Sequence, residues 1–233
     1  MSELIISLIS LILLEVILGI DNIIFISILA DKLPESQRNQ LRYWGIGLAM
    51  VTRLVLLAFI SWILKLDKPL FTVMDKDFSG KGLILIVGGL FLIYKSTKEI
   101  YHKTELINQP EQPTTKVANF KRLLWEVIIL DLVFSIDSII TAVGMVQEVW
   151  VMYTAVIATV VIMLFASKPI SEFIRNHPSF KILALCFLMM IGVSLIAEGF
   201  HFEIPKGYIY FSMAFAFLVD IIQMKTTPKA KPN

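Results

Sequence analysis

The sequence has one cysteine, Cys186, and it lies in an apolar run. A lone thiol excludes a disulfide framework and a cysteine-based metal site. Histidine is scarce as well. His102, His177 and His201 fall at the ends of apolar runs, so no Ser–His pair or His-rich metal motif arises inside them. Charged residues are 17% of the chain and the formal net charge is +2, which gives no basis for nucleic-acid binding. The start, Met1-Ser2-Glu3, has no basic segment. The first apolar run, Leu4 to Ala30, is longer than a signal-peptide core and has no Ala-x-Ala exit, so it is expected to stay as a span.

What the chain has is apolar residue. Of 233 residues, 57% are hydrophobic, and the mean hydropathy is +0.77. Soluble domains run nearer to roughly 45–50% apolar. The apolar residues fall in long blocks with the charges between them, which is the pattern of an all-α integral membrane protein. Seven spans are expected: Leu4 to Ala30, Tyr43 to Leu64, Gly82 to Tyr94, Leu123 to Val146, Val149 to Ala166, Ile182 to Glu198 and Gly207 to Met224. The third is short unless it continues towards Ile100, which brings in Lys95 and Lys98. Pro34 opens the second helix, where a fixed φ and a missing N–H suit a first turn. Pro169, Pro178 and Pro205 are expected between spans. The stretch from Thr104 to Lys116 reads as a polar loop joining two halves.

Lysine and arginine counts set the expected orientation. The connections after spans one, three and five, with the C-terminal segment, hold fifteen. The other side holds five: Lys65, Lys68, Lys76, Lys81 and Lys206. Arg53 lies inside a span. The bias places the N-terminus outside and the C-terminus in the cytoplasm.

One phrase occurs twice. Glu15-Val16-Ile17-Leu18-Gly19-Ile20-Asp21-Asn22-Ile23-Ile24 returns as Asp131-Leu132-Val133-Phe134-Ser135-Ile136-Asp137-Ser138-Ile139-Ile140. Acid meets acid twice, Asn22 becomes Ser138, and Gly19 becomes Ser135. The copies lie three spans apart, in spans one and four, so they run in opposite directions. The expected organisation is one transmembrane domain over 1–233. Its 3+3 inverted repeat covers about 4–101 and 121–202, with an extra helix over 207–224 outside the repeat. A weaker likeness joins Gly89-Leu90-Phe91-Leu92-Ile93 to Gly192-Val193-Ser194-Leu195-Ile196.

A carboxylate at the bilayer centre costs about 2.5–3.5 kcal/mol on insertion scales, so four of them need a compensating role. On a helix, Asp21 lies about 120° round from Glu15, and Asp137 likewise from Asp131. Either the helices unwind near Gly19 and Ser135, or each acid reaches inward between different neighbours. The rise of about 1.5 Å per residue puts all four acids in a slab roughly 10 Å thick, with Glu15 level with Asp137 and Asp21 level with Asp131. An all-oxygen cluster suits a hard divalent cation, Mg²⁺, Ca²⁺ or Mn²⁺, rather than zinc or copper.

The competing structural reading is that the acids pair with basic residues and hold helices together. Arg53 is the one deep cation in the sequence. It is expected to compensate charge, leaving the site strongly negative. Lys95 reads as snorkelling to the surface from a span end. Glu126 reads as interfacial, and Glu198 and Asp220 as span-end acids. His201 reads as a satisfied interface histidine before it reads, with Glu203, as an outer vestibule ligand. The ten methionines read as packing.

These residues carry a resemblance. Glu15-x5-Asp21-Asn22, Leu33-Pro34, Arg38 and Arg53 resemble the TerC family of integral membrane proteins. So do Asp131-x5-Asp137-Ser138, Ala197-Glu198-Gly199-Phe200-His201 and Pro205-Lys206-Gly207-Tyr208. The resemblance covers nearly the whole chain. It implies a seven-span fold related to the LysE-type exporters and export of Mn²⁺ from the bacterial cytoplasm across the inner membrane. It also implies that Glu15, Asp21, Asn22, Asp131, Asp137 and Ser138 match the metal-site motif. Ser135, Lys95 and Glu198 are secondary candidates on the reading of the residues alone. The soluble cystathionine-synthase-type domains of some larger relatives are not among the 233 residues.

The expected function is therefore a secondary transporter for a divalent cation, Mn²⁺ on the resemblance, with proton exchange as the coupling. No organic cofactor and no enzymatic activity are expected. The alternative is a non-transporting membrane partner that assembles with other membrane proteins or helps to metallate secreted ones. Besides the cation and the lipid bilayer, a second copy of the chain is a candidate partner.

Overall fold

The structure is a computed structural model that describes residues 2–64, 68–73, 76–104, 119–146, 148–202 and 204–226. The joining loop beyond Thr104, and Glu203, lie outside the described residues. The long helices are α1 (Ser2–Ala30), α2 (Glu35–Ala58), α4 (Gly80–Thr104), α5 (Phe120–Met145), α6 (Val149–Asn176), α7 (Pro178–Gly199) and α8 (Lys206–Thr226). Between α2 and α4 come the single turn α3 (Ile60–Ile63) and a hairpin of β1 (Pro69–Val73) and β2 (Lys76–Ser79). Six of the seven long helices are long and apolar enough to cross a membrane. The seventh, α4, continues past Tyr94 and so takes in Lys95, Lys98 and Glu99.

Several boundaries differ from the sequence expectation. Pro34 does not enter α2; it is the extended residue just before it, with φ −54° and ψ 149°. A proline there suppresses helix in what precedes it and lets helix follow. Helix α2 stops at Ala58, short of Leu64. Pro169 is not between spans but inside α6, which runs ten residues beyond Ala166 to Asn176. Only one backbone N–H is lost at a proline, and the exposed position gives the ring room. Pro178 sits in the first turn of α7, as proline prefers. The hairpin is not flagged by hydropathy. Its Phe71 and Phe78 rings stack at 5.5 Å, and Phe78 meets Phe200 edge-on at 5.7 Å, so it lies against the end of α7.

The end of α7 is a Schellman cap. Phe202 N–H donates to the Ala197 carbonyl at 2.9 Å, and His201 N–H donates to that of Glu198 at 2.9 Å. His201 takes the left-handed conformation at φ 65°, where glycine is usual. This fixes where Glu198 leaves the helix.

Helix α1 packs chiefly on α6, α2 on α5, and α4 on α7. The α4–α7 contact is antiparallel and lined with glycine. Gly82 faces Gly199, and Gly89 faces Gly192. A Cβ at Gly192 stands 2.8 Å from the Gly89 carbonyl oxygen, which is backbone and cannot swing aside. Gly192→Ala is expected to cost about 1–3 kcal/mol through overpacking. Gly47→Ala meets nothing within 4 Å and is expected to be neutral or stabilising. Thermal unfolding of the two variants in detergent compares them; equal melting temperatures would contradict this packing. Helix α5 is the most enclosed of the apolar helices and α8 the least.

Candidate functional site

Both copies of the acidic phrase lie in unbroken helix: Gly19 is within α1 and Ser135 within α5. The unwinding alternative is therefore not what the structure adopts. The helical 120° offset decides the outcome. On each helix the first acid turns one way and the second turns the other, so the four carboxylates divide into two groups.

The first group is built on Arg53 of α2. Its Nη1 donates to Glu15 Oε2 at 2.5 Å, and its Nη2 and Nε donate to Asp131 Oδ1 at 3.2 and 3.3 Å. Asn22 Nδ2 donates to the same Asp131 oxygen at 3.1 Å, and Ser135 Oγ donates to Asp131 Oδ2 at 3.2 Å. Arg53 is 2% exposed and its partners are equally enclosed. A planar guanidinium with a fork of donors suits two carboxylates on different helices. Arg53 thus pairs with one carboxylate from each copy of the phrase. The pairing through it is Glu15 with Asp131, not the level pairs anticipated from depth alone. A long side chain spans the difference.

The second group is Asp21 and Asp137, which line one small cavity with Leu18, Phe134, Ser194, Lys206 and Tyr210. They are 4% and 3% exposed. The cavity holds about 20 Å³, room for roughly one water. Lys206 Nζ forms an ion pair with Asp137 Oδ2 and stands 3.7 Å from Glu198 Oε2. Lys81 closes on Glu198 Oε1 at 3.0 Å. Asp137 Oδ1 is buried without a hydrogen-bond partner, and Asp21 makes no ion pair among the described residues. Ser138 is buried and donates to the Ser135 carbonyl at 3.3 Å, so its hydroxyl serves the helix rather than an acid.

Two sequence expectations need correction here. Lys206 belongs with the acids, not only with the outer connection. It opens α8, and the helix brings Tyr210 one turn later to the same cavity, so α8 contributes to the site. Arg53 is therefore not the only cation near the acids. The dipeptide Pro205-Lys206 was visible, but nothing in it indicated how far the ammonium reaches inward. Glu198 joins the acid group through Lys206. Lys95 does not: it pairs with Glu126 at 2.6 Å, and Arg122 approaches the same carboxylate oxygen at 3.5 Å. Glu126 is correspondingly buried within the protein.

Chemically, a buried carboxylate oxygen without a partner, in a cavity that a second carboxylate also lines, can accept a cation. In this arrangement the ammonium of Lys206 occupies that role. Among the described residues, no three acid, histidine or cysteine side chains converge as a metal site would require.

The sequence profile described as "Integral membrane protein TerC family" matches residues 1–231. The chain belongs to the TerC family. Among curated relatives, the "UPF0053 protein" of Haemophilus influenzae is 50% identical over 223 residues, covering 94% of this chain and 93% of that one. The "UPF0053 inner membrane protein YgdQ" of Escherichia coli (strain K12) is 46% identical over 212 residues, covering 91% and 89%. The "UPF0053 inner membrane protein YoaE" of the same strain is 48% identical over 214 residues. That match spans 92% of this TerC chain but only 41% of YoaE. No solved structure matches the chain. Family membership and the apolar helices together make it a multi-pass membrane protein.

Proposed function

We propose that this TerC protein is a secondary transporter that exports a divalent cation, Mn²⁺, from the cytoplasm across the bacterial inner membrane. The observation that carries the proposal is the meeting of Asp21 and Asp137, one from each copy of the phrase, at one buried cavity. Oxygen donors of this kind suit Mg²⁺, Ca²⁺ or Mn²⁺. Mn²⁺ is chosen among them on the family resemblance. In the proposed cycle the cation replaces the Lys206 ammonium beside Asp137. Asp21 becomes its second carboxylate, and the Asn22 and Ser138 oxygens are brought in as the helices shift. Protons compete for the same oxygens, which supplies the exchange partner. Export is thus proposed as proton-coupled, and no enzymatic step is involved.

Seven spans in a 3+3 inverted repeat, with α8 outside it, support alternating access. Exchanging α1 with α5, α2 with α6 and α4 with α7 maps the chief helix contacts onto themselves. In the proposed orientation Lys206 and the hairpin face outward and the C-terminal segment faces the cytoplasm. Reporter fusions at residues 2 and 230 are expected to give opposite signals, and matching signals would contradict an odd number of spans.

Two observations favour the second reading, a non-transporting partner that metallates or assembles with other proteins. Arg53 already engages both Glu15 and Asp131, and among the described residues no three-ligand group is formed. Purified chain in liposomes decides between them. With a Mn²⁺-responsive dye trapped inside, the transporter gives flux above that of protein-free liposomes, slowing as external pH falls from about 8 to 6 because protons compete for the ligands. Flux no greater than in protein-free liposomes would reject the transporter.

A further inference from the structure

A second polar cavity, of about 330 Å³, lies at the far end of α1, between the start of α2 and the end of α6. Its charges do not balance. Asp31 is taken by Lys181 at 2.5 Å, and Glu35 approaches Arg38 at 3.7 Å. What remains is Arg42, Lys168 and Arg175 against Glu172. Among the described residues none of these three cations has an ion-pair partner.

Arg42 is the telling member. It is 8% exposed, and its one hydrogen bond goes to the neutral Asn39 side chain. An arginine this enclosed is almost always paired, because burying an uncompensated charge is costly. A guanidinium has five N–H donors, so the bond to Asn39 leaves most of them directed elsewhere. The cavity it lines is polar enough and large enough to hold a multi-oxygen anion.

We propose that this cavity binds a phosphate-bearing anion through Arg42, with Lys168 and Arg175 closing on it from α6. The net surplus of two positive charges matches a phosphate group, whose oxygens accept from donors on both helices. The site shares no ion pair with Asp21 or Asp137 among the described residues, and it does not depend on the transport reading. Helix ends mark the membrane boundary, where lipid phosphates lie, so the phosphate belongs either to an anionic lipid headgroup or to free phosphate.

The test uses the full chain, purified in detergent. Native mass spectrometry measures retention of phosphatidylglycerol against phosphatidylcholine, and calorimetry measures binding of inorganic phosphate. The variants are Arg42→Gln and the double variant Lys168→Gln/Arg175→Gln, whose side chains are exposed and should leave the fold intact. We expect saturable binding of one phosphatidylglycerol or one phosphate per chain. Losing the charge-assisted hydrogen bonds in the double variant should weaken it about tenfold or more. Binding in the lipid arm alone identifies a headgroup, and binding in the phosphate arm alone identifies the free ion. No binding in either arm, equal retention of phosphatidylcholine, or affinity unchanged in both variants would overturn the proposal.

Discussion

Arg53→Ala is expected to cost about 3–5 kcal/mol of stability, the range for removing one partner from a buried ion pair. The loss is large because the substitution leaves two carboxylates, Glu15 and Asp131, without their cation in an enclosed site. Asn22 and Ser135 still donate to Asp131, but Glu15 keeps no cation partner. A protein stabilised by about 5–15 kcal/mol in total does not absorb this easily. Low accumulation in membranes and a strongly lowered melting temperature in detergent are the expected readings. Arg53→Lys should recover only part of it, since one ammonium cannot reproduce the fork that reaches both helices. Adding Glu15→Gln and Asp131→Asn to Arg53→Met should recover more, because the stranded charges are then gone. Wild-type stability of Arg53→Ala would show that the triad does not hold α1, α2 and α5 together.

Asp21→Asn and Asp137→Asn are expected to abolish cation flux while the protein still inserts. The amide keeps the shape of the carboxylate and removes its charge. Binding loses about tenfold for each 1.4 kcal/mol, and a ligand-bearing charge in a water-poor cavity is worth several times that amount. The two variants should differ in stability. Asp21 has no ion-pair partner among the described residues, so its neutralisation removes an uncompensated buried charge and should leave the melting temperature unchanged or raised. Asp137→Asn strips Lys206 of its closer partner and leaves it to Glu198, so a modest loss is expected. Flux per reconstituted molecule, measured beside the melting curve, separates these effects. Wild-type flux in both variants would mean that the acids are structural and that any cation passes elsewhere.

Much of this was legible in the sequence for one physical reason. A bilayer demands long apolar helices and penalises every charge within them, so both the spans and the two acidic phrases stand out. Arg53 was legible on the same ground, as a cation deep in an apolar run. The division of the acids was half legible: the 120° offset between Glu15 and Asp21 followed from helix geometry, but which neighbour each would meet depended on helix packing. Lys206 was not legible as a site residue. It stands at the edge of an apolar run, where lysine ordinarily turns to water, and its inward reach depends on the placement of α8 against α7. Pro169 misled in a different way. Proline marks a boundary in most helices, yet α6 carries its single missing bond and continues. The hairpin escaped notice because short strands beside a membrane have no hydropathy signal.

The most direct test is to locate the cation itself. Crystals of the full chain grown with Mn²⁺, measured at the manganese absorption edge, give its position from anomalous scattering. The account predicts a peak between α1 and α5, with oxygens of both Asp21 and Asp137 at about 2.0–2.6 Å, the range for hard divalent cations. It also predicts that the Lys206 ammonium has moved off Asp137. A peak confined to surface carboxylates, with the Lys206–Asp137 pair intact beside it, would contradict the account.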